Sequence, residues 1–134
     1  MKCIENLYGK YSAEKQRKSR VLQAFRNEAF LSAKMQSARE NLGTKCARCE
    51  KDCRKLVVDH AGKPFVQIMD EFMLARDETT ESIRVRYTKG SFRLRTRAVS
   101  KAWRAFHDSQ ADLVGLCAKC NCSLGARGYK RKVE

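Results

Sequence analysis

The sequence has no run of about 18 consecutive apolar residues, so we expect no segment of it to span a bilayer. Its first residues, MKCIENLYGK, lack the apolar core of a secretory signal peptide. We see no lipidation motif and no cleanly divided amphipathic segment, which argues against a membrane partner. Without an export signal, we expect a cytoplasmic protein in a reducing compartment.

Acidic residues are also scarce. The chain has 15 Asp and Glu against 29 Lys and Arg in 134 residues, for a formal net charge of +14. A domain this basic repels itself unless a polyanion is nearby, and nucleic acid is the commonest such partner. The length suits one domain, and no internal repeat or low-complexity linker divides it. We therefore expect a single domain over residues 1–134 that binds nucleic acid.

The seven cysteines are an odd number, which does not favour a disulfide framework. Four of them form two C-x2-C pairs, Cys46 with Cys49 and Cys117 with Cys120. Each pair offers two thiolates in a tight turn, and two pairs complete the tetrahedral set that structural zinc prefers. The sequence therefore predicts a zinc site that joins two distant segments of the chain.

The remaining cysteines leave alternatives open. Cys53 could replace Cys49, and Cys122 could replace Cys120, although the matched spacing favours the four named above. Cys3 is far from both pairs, and we expect it to be a free thiol. A closed four-cysteine site has no open position for substrate, so any catalysis would need a second, harder cation.

Apolar residues at helical spacing predict a helical arm over residues 12–43, as one long helix or two shorter ones, with Ser12 capping its start and Gly43 ending it. Five basic residues crowd its first half, either as a solvated basic face or as contacts to a nucleic-acid backbone: Lys15, Arg17, Lys18, Arg20 and Arg26. Further along the chain, patterning predicts a strand at 56–58, a helix that starts near residue 64 and another over 98–110. The Gly- and Lys-rich tail is expected to be frayed.

Residues 82–97 alternate between apolar and basic residues, which predicts a β-hairpin with a two-residue turn at Lys89-Gly90. In that register Arg86 faces Arg93. Like charges facing each other are unfavourable, so we expect an anion nearby. A solvated edge ribbon is the alternative interpretation. The predicted nucleic-acid contacts of this segment are Arg84, Arg86, Lys89, Arg93, Arg95 and Arg97.

Three polar residues flank the cysteine pairs. Asp59 and His60 end the apolar run after the first pair, and Asn121 directly follows the last cysteine of the second. A zinc that ties both pairs together can bring these residues close. Carboxylate and amide oxygens are hard ligands suited to Mg²⁺, and a neutral imidazole beside them can take a proton from water.

The order C-x2-C, then LVVDH, then LCAKCN resembles the HNH, or ββα-metal (His-Me finger), nucleases, and most of all the phage recombination endonuclease VII branch. The motifs cover about 29 of 134 residues, in blocks 46–60 and 112–125. The resemblance implies an α+β fold with a zinc-stapled ββα-metal core made of residues 44–60 and 112–128. The N-terminal arm and an inserted helix–hairpin–helix segment over 61–111 would complete it.

The same resemblance implies a DNA endonuclease in which Asp59 and Asn121 bind catalytic Mg²⁺ or Mn²⁺ and His60 is the general base. Products would carry 5′-phosphate and 3′-hydroxyl ends, and duplex or branched DNA would be the partner. Paired strand cuts would need two active sites, so a homodimer is an open alternative. A phage origin would place the protein in the host cytoplasm.

Two further residues are assigned supporting roles. Asp112 stands where many members of the family have an Asn that positions the histidine loop. His107 is the only other histidine; a packing or capping role competes with support of a phosphate or of the His60 loop. Two non-catalytic functions stay open: a zinc-stapled nucleic-acid-binding protein and a protein-interaction module for an acidic partner.

Overall fold

The computed structural model describes residues 2–125 and 128–131, with side chains from residue 13 onward within those ranges. The chain forms a mixed α+β fold with two small antiparallel sheets. Its elements are α1 (Lys2–Phe30), α2 (Ala33–Glu40), β1 (Leu56–Ala61), α3 (Phe65–Ala75), β2 (Val85–Thr88), β3 (Ser91–Leu94), α4 (Arg97–Gln110), β4 (Asp112–Cys117) and α5 (Ala118–Leu124).

The N-terminal arm differs from the prediction in its start, and it consists of two helices, one of the two alternatives that the sequence left open. Helix α1 already begins at Lys2, so Ser12 lies inside the helix rather than at its cap. The arm then breaks at Ser32, whose side chain accepts a hydrogen bond from the Met35 N–H and caps α2. The apolar positions change face at this break, and a second helix satisfies that change better than a continuous one.

The hairpin has the predicted register, with Val85 opposite Leu94 and Tyr87 opposite Phe92. Lys89 and Gly90 both have positive φ angles, 50° and 81°, as a two-residue turn with the twist of its strands requires. The sequence prediction is confirmed here because alternation and turn chemistry are both local.

The larger core lies between α1, α3, α4 and the hairpin. Trp103 of α4 is fully buried at its centre, edge-on to Phe25 of α1. The indole N–H donates to the Phe25 carbonyl at 2.9 Å, so the polar atom that enters the core with the ring is satisfied. This core fixes α4 and α1 relative to each other.

A smaller core surrounds the cysteine pairs. Strand β1 pairs antiparallel with β4, which we did not predict from the sequence, and α5 packs against both strands. Leu56 faces Cys117 at one end of this pair, and His60 faces Leu113 near the other. Two antiparallel strands and a helix thus carry one cysteine pair and the Asp59-His60 dipeptide.

The tail is not frayed over its described part. Tyr129 is buried and forms a parallel bridge with Ala61. Its carbonyl accepts from the Gly62 N–H at 2.7 Å, and its hydroxyl donates to the Ala47 carbonyl at 3.2 Å. Gly128, at a φ of 70°, lies where a Cβ would come within 3.2 Å of the His60 carbonyl. The tail therefore packs along the end of β1. Residues 126–127 and 132–134 lie outside the described part.

Among the described residues, no helix combines the length and apolar character needed to cross a membrane.

Candidate functional site

Both C-x2-C pairs meet, as the sequence predicted. The Sγ atoms of Cys46, Cys49, Cys117 and Cys120 all lie within 4.8 Å of one another, and those of Cys49 and Cys117 are 3.9 Å apart. Zinc–sulfur bonds of about 2.3 Å in a tetrahedron would place sulfurs about 3.8 Å apart. Such a cluster is compatible with a structural zinc site.

Backbone groups support the thiols of this cluster. The Cys117 N–H donates to Cys46 Sγ and the Cys120 N–H to Cys117 Sγ, each at 3.4 Å. These bonds favour the thiolate form that a metal requires. Cys53 and Cys122 are not members of the described cluster, in keeping with the spacing argument. The side chain of Cys3 lies outside the described part.

Asp59, His60 and Asn121 line one cavity of about 460 Å³. Asp59 and His60 come from β1, and Asn121 comes from α5, one residue after a cysteine of the cluster. The structure thus brings together the three residues that the sequence singled out. Arg26 and Phe30 of α1 also line this cavity.

The two carboxylate oxygens of Asp59 have different surroundings. Oδ1 accepts a hydrogen bond from the His60 N–H at 2.8 Å. Oδ2 is buried and, among the described residues, has no hydrogen-bond partner. A buried carboxylate oxygen without a donor is unfavourable unless a cation or water satisfies it. This orphaned oxygen, together with the Asn121 amide in the same cavity, fits a hard divalent cation.

His60 is 8% exposed. Burial, reinforced by the neighbouring His107 and the cations Arg26 and Lys34, lowers its pKa to about 4. The imidazole is therefore neutral at physiological pH, which is the form that can accept a proton. Its ring lies edge-on to Phe65, 5.4 Å between centroids, so apolar packing fixes its plane.

His107 takes part in the site rather than serving only as packing. Its Nε2 lies 2.8 Å from Nε2 of His60, and its Nδ1 lies 2.9 Å from Oδ1 of Asp108. Burial lowers the pKa of His107, while the bond to Asp108 opposes that shift. The sequence signal was weak: His107 follows Trp103 by four residues, so it continues the buried face of α4.

Asp112 supports a different segment from the one predicted. Its carboxylate binds the Arg131 guanidinium through two hydrogen bonds, at 2.6 and 2.8 Å. That ion pair holds the pKa of Asp112 below its usual value. Asp112 therefore anchors the docked tail beside β1, and no described hydrogen bond joins its side chain to the His60 loop.

One arginine that we predicted to contact DNA forms an ion pair within the protein. Arg93 is partly buried and pairs with Glu28 of α1, which also binds Arg104 at 2.7 Å. Burial alone would raise the pKa of Glu28, but hydrogen bonds from the two arginines hold it below its ordinary value. The Glu28 carboxylate thus supplies part of the negative charge that we expected near the facing side chains of Arg86 and Arg93.

The other predicted basic contacts are exposed, namely Arg17, Lys18, Arg20, Arg84, Arg86, Lys89, Arg95 and Arg97. The structure packs the basic arm and the hairpin together. Arg20 lies over the Phe92 ring, 5.7 Å from its centroid, and Arg17 hydrogen-bonds the carbonyls of Thr80 and Glu81. Arg17 therefore also holds the loop before the hairpin.

Arg26, which the sequence placed among the basic residues of the arm, lines the cavity with Asp59 and His60. Two exposed cations near the site were missed: Arg48 and Lys130 line a neighbouring cavity of about 790 Å³. Their neighbourhood depends on the docked tail and the cysteine cluster, so no local pattern in the sequence could reveal it.

Comparisons with protein-family models, with curated proteins and with solved structures found no significant match to this chain.

Proposed function

We propose that this protein is a metal-dependent DNA endonuclease whose active site consists of Asp59, His60 and Asn121. The observation that carries the proposal is the convergence of an acid, an imidazole and an amide in one cavity, beside a cluster suited to structural zinc. A protein that only binds DNA does not need this combination.

The local fold supports the same interpretation. Strands β1 and β4 and helix α5 form a strand–strand–helix unit around the cysteine cluster. In the ββα-metal nucleases that the motifs resemble, the histidine and the metal ligands occupy such a unit. We propose that zinc occupies the four-cysteine cluster and holds the two halves of the unit together.

The divalent cation would be held by Asp59 and Asn121. Bound there, Mg²⁺ or Mn²⁺ would stabilise negative charge on the scissile phosphate and on the departing 3′-oxygen. The unpartnered Oδ2 of Asp59 supports this assignment, since that oxygen otherwise lacks a donor among the described residues.

His60 would act as general base. Its neutral imidazole takes a proton from water, and the resulting hydroxide attacks phosphorus. The bond from phosphorus to the 3′-oxygen breaks, and the 3′-oxygen takes a proton from solvent. The products are a 5′-phosphate and a 3′-hydroxyl.

The basic surface supports DNA as substrate. Arg20 lies at the hairpin and Arg26 lines the catalytic cavity, six residues further along the same helix, about 9 Å along its axis. A phosphate backbone that follows α1 would reach from the hairpin to the candidate site.

The test is the nicking of supercoiled plasmid by zinc-loaded protein with Mg²⁺ or Mn²⁺, with and without a chelator. We expect wild-type protein to nick only with the divalent cation. His60→Ala should lower the rate by about 10²- to 10⁴-fold, as loss of a general base does.

The control is DNA binding and zinc content of His60→Ala, both of which should match wild type. Tight binding with no cutting in any metal would select the non-catalytic DNA-binding protein instead. Absence of both binding and cutting would leave the acidic-partner module as the alternative.

A further inference from the structure

A continuous hydrogen-bonded chain leads from the surface of α4 to the candidate general base. It runs from Asp108 to His107 and from His107 to His60, with contacts of 2.9 and 2.8 Å. We propose that Asp108 and His107 are positioning residues that fix His60 in the tautomer with a bare Nδ1. The tautomer stands on geometry alone, whereas its catalytic consequence rests on the proposed function.

Asp108 determines which nitrogen donates and which accepts in each of these hydrogen bonds, because both of its oxygens are occupied by different donors. Oδ1 contacts His107 Nδ1, and Oδ2 accepts from the Lys34 N–H at 3.2 Å. An ionised carboxylate can only accept hydrogen bonds. Nδ1 of His107 must therefore carry the hydrogen of that bond.

The protonation of His107 in turn determines which nitrogen of His60 donates. A neutral imidazole has one donor nitrogen and one acceptor nitrogen, so Nε2 of His107 is an acceptor. Nε2 of His60 must donate to it, which leaves a lone pair on Nδ1 of His60. Among the residues that the structure describes, none hydrogen-bonds to this nitrogen, and the ring lines the cavity with Asp59 and Asn121.

The opposite arrangement would need a charged His107. Both of its nitrogens would then donate, and His60 would accept at Nε2 and carry its hydrogen on Nδ1, so neither nitrogen would have a free lone pair to act as a base. His107 is fully buried between aromatic rings, with Trp103 5.6 Å and Phe65 6.2 Å away between centroids. Such surroundings disfavour the charged form.

The experiment reads the tautomers directly. The sequence has only two histidines, so a long-range ¹H–¹⁵N spectrum of the zinc-loaded protein contains the signals of two imidazoles. His107→Gln removes one set of signals and so assigns the remaining set to His60. We expect a bare Nδ1 and a protonated Nε2 for His60, and the reverse for His107. No divalent cation or DNA is needed.

Asp108→Asn should exchange donor and acceptor in both hydrogen bonds that lead to His60. The single oxygen of the substituted amide must accept from the Lys34 N–H, because the amide NH₂ cannot. The NH₂ group then faces His107 Nδ1 and donates to it, as the equivalent exchange does in serine-protease triads. We expect His107 to donate through Nε2 and His60 to carry its hydrogen on Nδ1.

Asp70→Asn is the matched control, since Asp70 is exposed on α3 and the variant has the same charge. His107→Gln retains an acceptor at a similar reach and should keep Nδ1 of His60 bare, whereas His107→Leu should leave the two tautomers mixed. A protonated Nδ1 in wild type, or no reversal in folded Asp108→Asn, would overturn the proposal.

Cleavage reports the consequence. Because the reversed tautomer leaves His60 without a free lone pair, Asp108→Asn should slow cleavage by about 10²- to 10⁴-fold, as loss of a general base does, with DNA affinity unchanged. If wild type shows the expected tautomers but never cuts DNA, the proposed function fails and the tautomer assignment stands. If wild type cuts DNA while Nδ1 of His60 is protonated, the tautomer assignment fails and the proposed function stands.

Discussion

At the scale of single residues, the candidate site depends on which of several similar side chains are used. The chain has cysteines at positions 49 and 53, and only Cys49 belongs to the described cluster. Cys53 lies beside the cluster, where its thiol interacts with that of Cys117, and its Sγ is 3.5 Å from the Lys51 carbonyl, as a weak thiol donor. The two residues therefore form a natural pair for comparison.

Cys49→Ser should lose bound zinc, because an alcohol is a poor ligand in a thiolate cluster. Cys53→Ser should keep one zinc per chain and unfold at the wild-type temperature. Metal analysis of the two purified variants and thermal melts provide the measurement. Equal zinc loss in both variants would show that Cys53 is a ligand.

The sequence predicted those site residues whose meaning is local. Asp59-His60 and the cysteine pairs are recognisable because their spacing within a few residues carries the chemistry. His107 was left between packing and support, because its contact with His60 depends on how α4 packs against β1. Sequence distance hides such contacts even when each residue type is suggestive.

At the scale of elements, the basic hairpin and α1 form one surface, but its cations are not equivalent. Arg93 is engaged with Glu28, whereas Arg84, Arg86 and Arg95 are exposed. We expect the exposed three to contact phosphate and Arg93 to stabilise the fold.

Replacing Arg84, Arg86 and Arg95 together by Gln should lower the slope of log binding constant against log salt by about 2 to 3, since each phosphate contact contributes about 0.9. A control variant, in which Lys55, Arg76 and Lys101 are replaced, removes the same charge from other elements and should change the slope less. Fluorescence anisotropy with a labelled duplex measures both. An equal change in both variants would refute a specific role of the hairpin.

Glu28 joins three elements, because its buried carboxylate binds Arg93 of β3 and Arg104 of α4. Glu28→Gln should lower the free energy of unfolding by about 2 kcal/mol, since the arginines lose their charged partner but stay partly solvated. Chemical denaturation measures this, and Glu40→Gln, an exposed change on α2, should have no effect.

The effect should depend on pH in a defined direction. The folded-state pKa of Glu28 is lowered, so the folded protein binds this proton less readily than the unfolded chain. Its stabilisation is fully present above about pH 4.5 and is lost as pH falls through the folded pKa. Wild type and Glu28→Gln should therefore converge in stability at acid pH. A constant difference would contradict the assignment.

The elements themselves were predictable to different degrees. The hairpin register followed from alternation and a two-residue turn. Strand β4 was missed because its six residues, DLVGLC, include a glycine and run directly into the second cysteine pair. The tail was misjudged because Tyr129 becomes ordered only through tertiary contacts with β1 and Ala47.

At the scale of the whole molecule, two cores meet at the candidate site. The larger core fixes α4, which carries His107, and the smaller one fixes β1 and α5, which carry Asp59 and Asn121. The site therefore requires both cores to be in place. Sequence alone predicted the cluster and the triad. It left open whether His107, from the inserted segment, would contact His60.

The most direct measurement of the central claim is the single-turnover rate of DNA cleavage by zinc-loaded protein as a function of Mg²⁺ concentration. It should be made for wild type, Asp59→Asn, Asn121→Ala and the charge-matched control Asp70→Asn. The account predicts Mg²⁺-dependent cleavage by wild type and Asp70→Asn, and rates at least about 100-fold lower in the other two. Cleavage without a divalent cation, or unchanged rates in Asp59→Asn and Asn121→Ala, would contradict it.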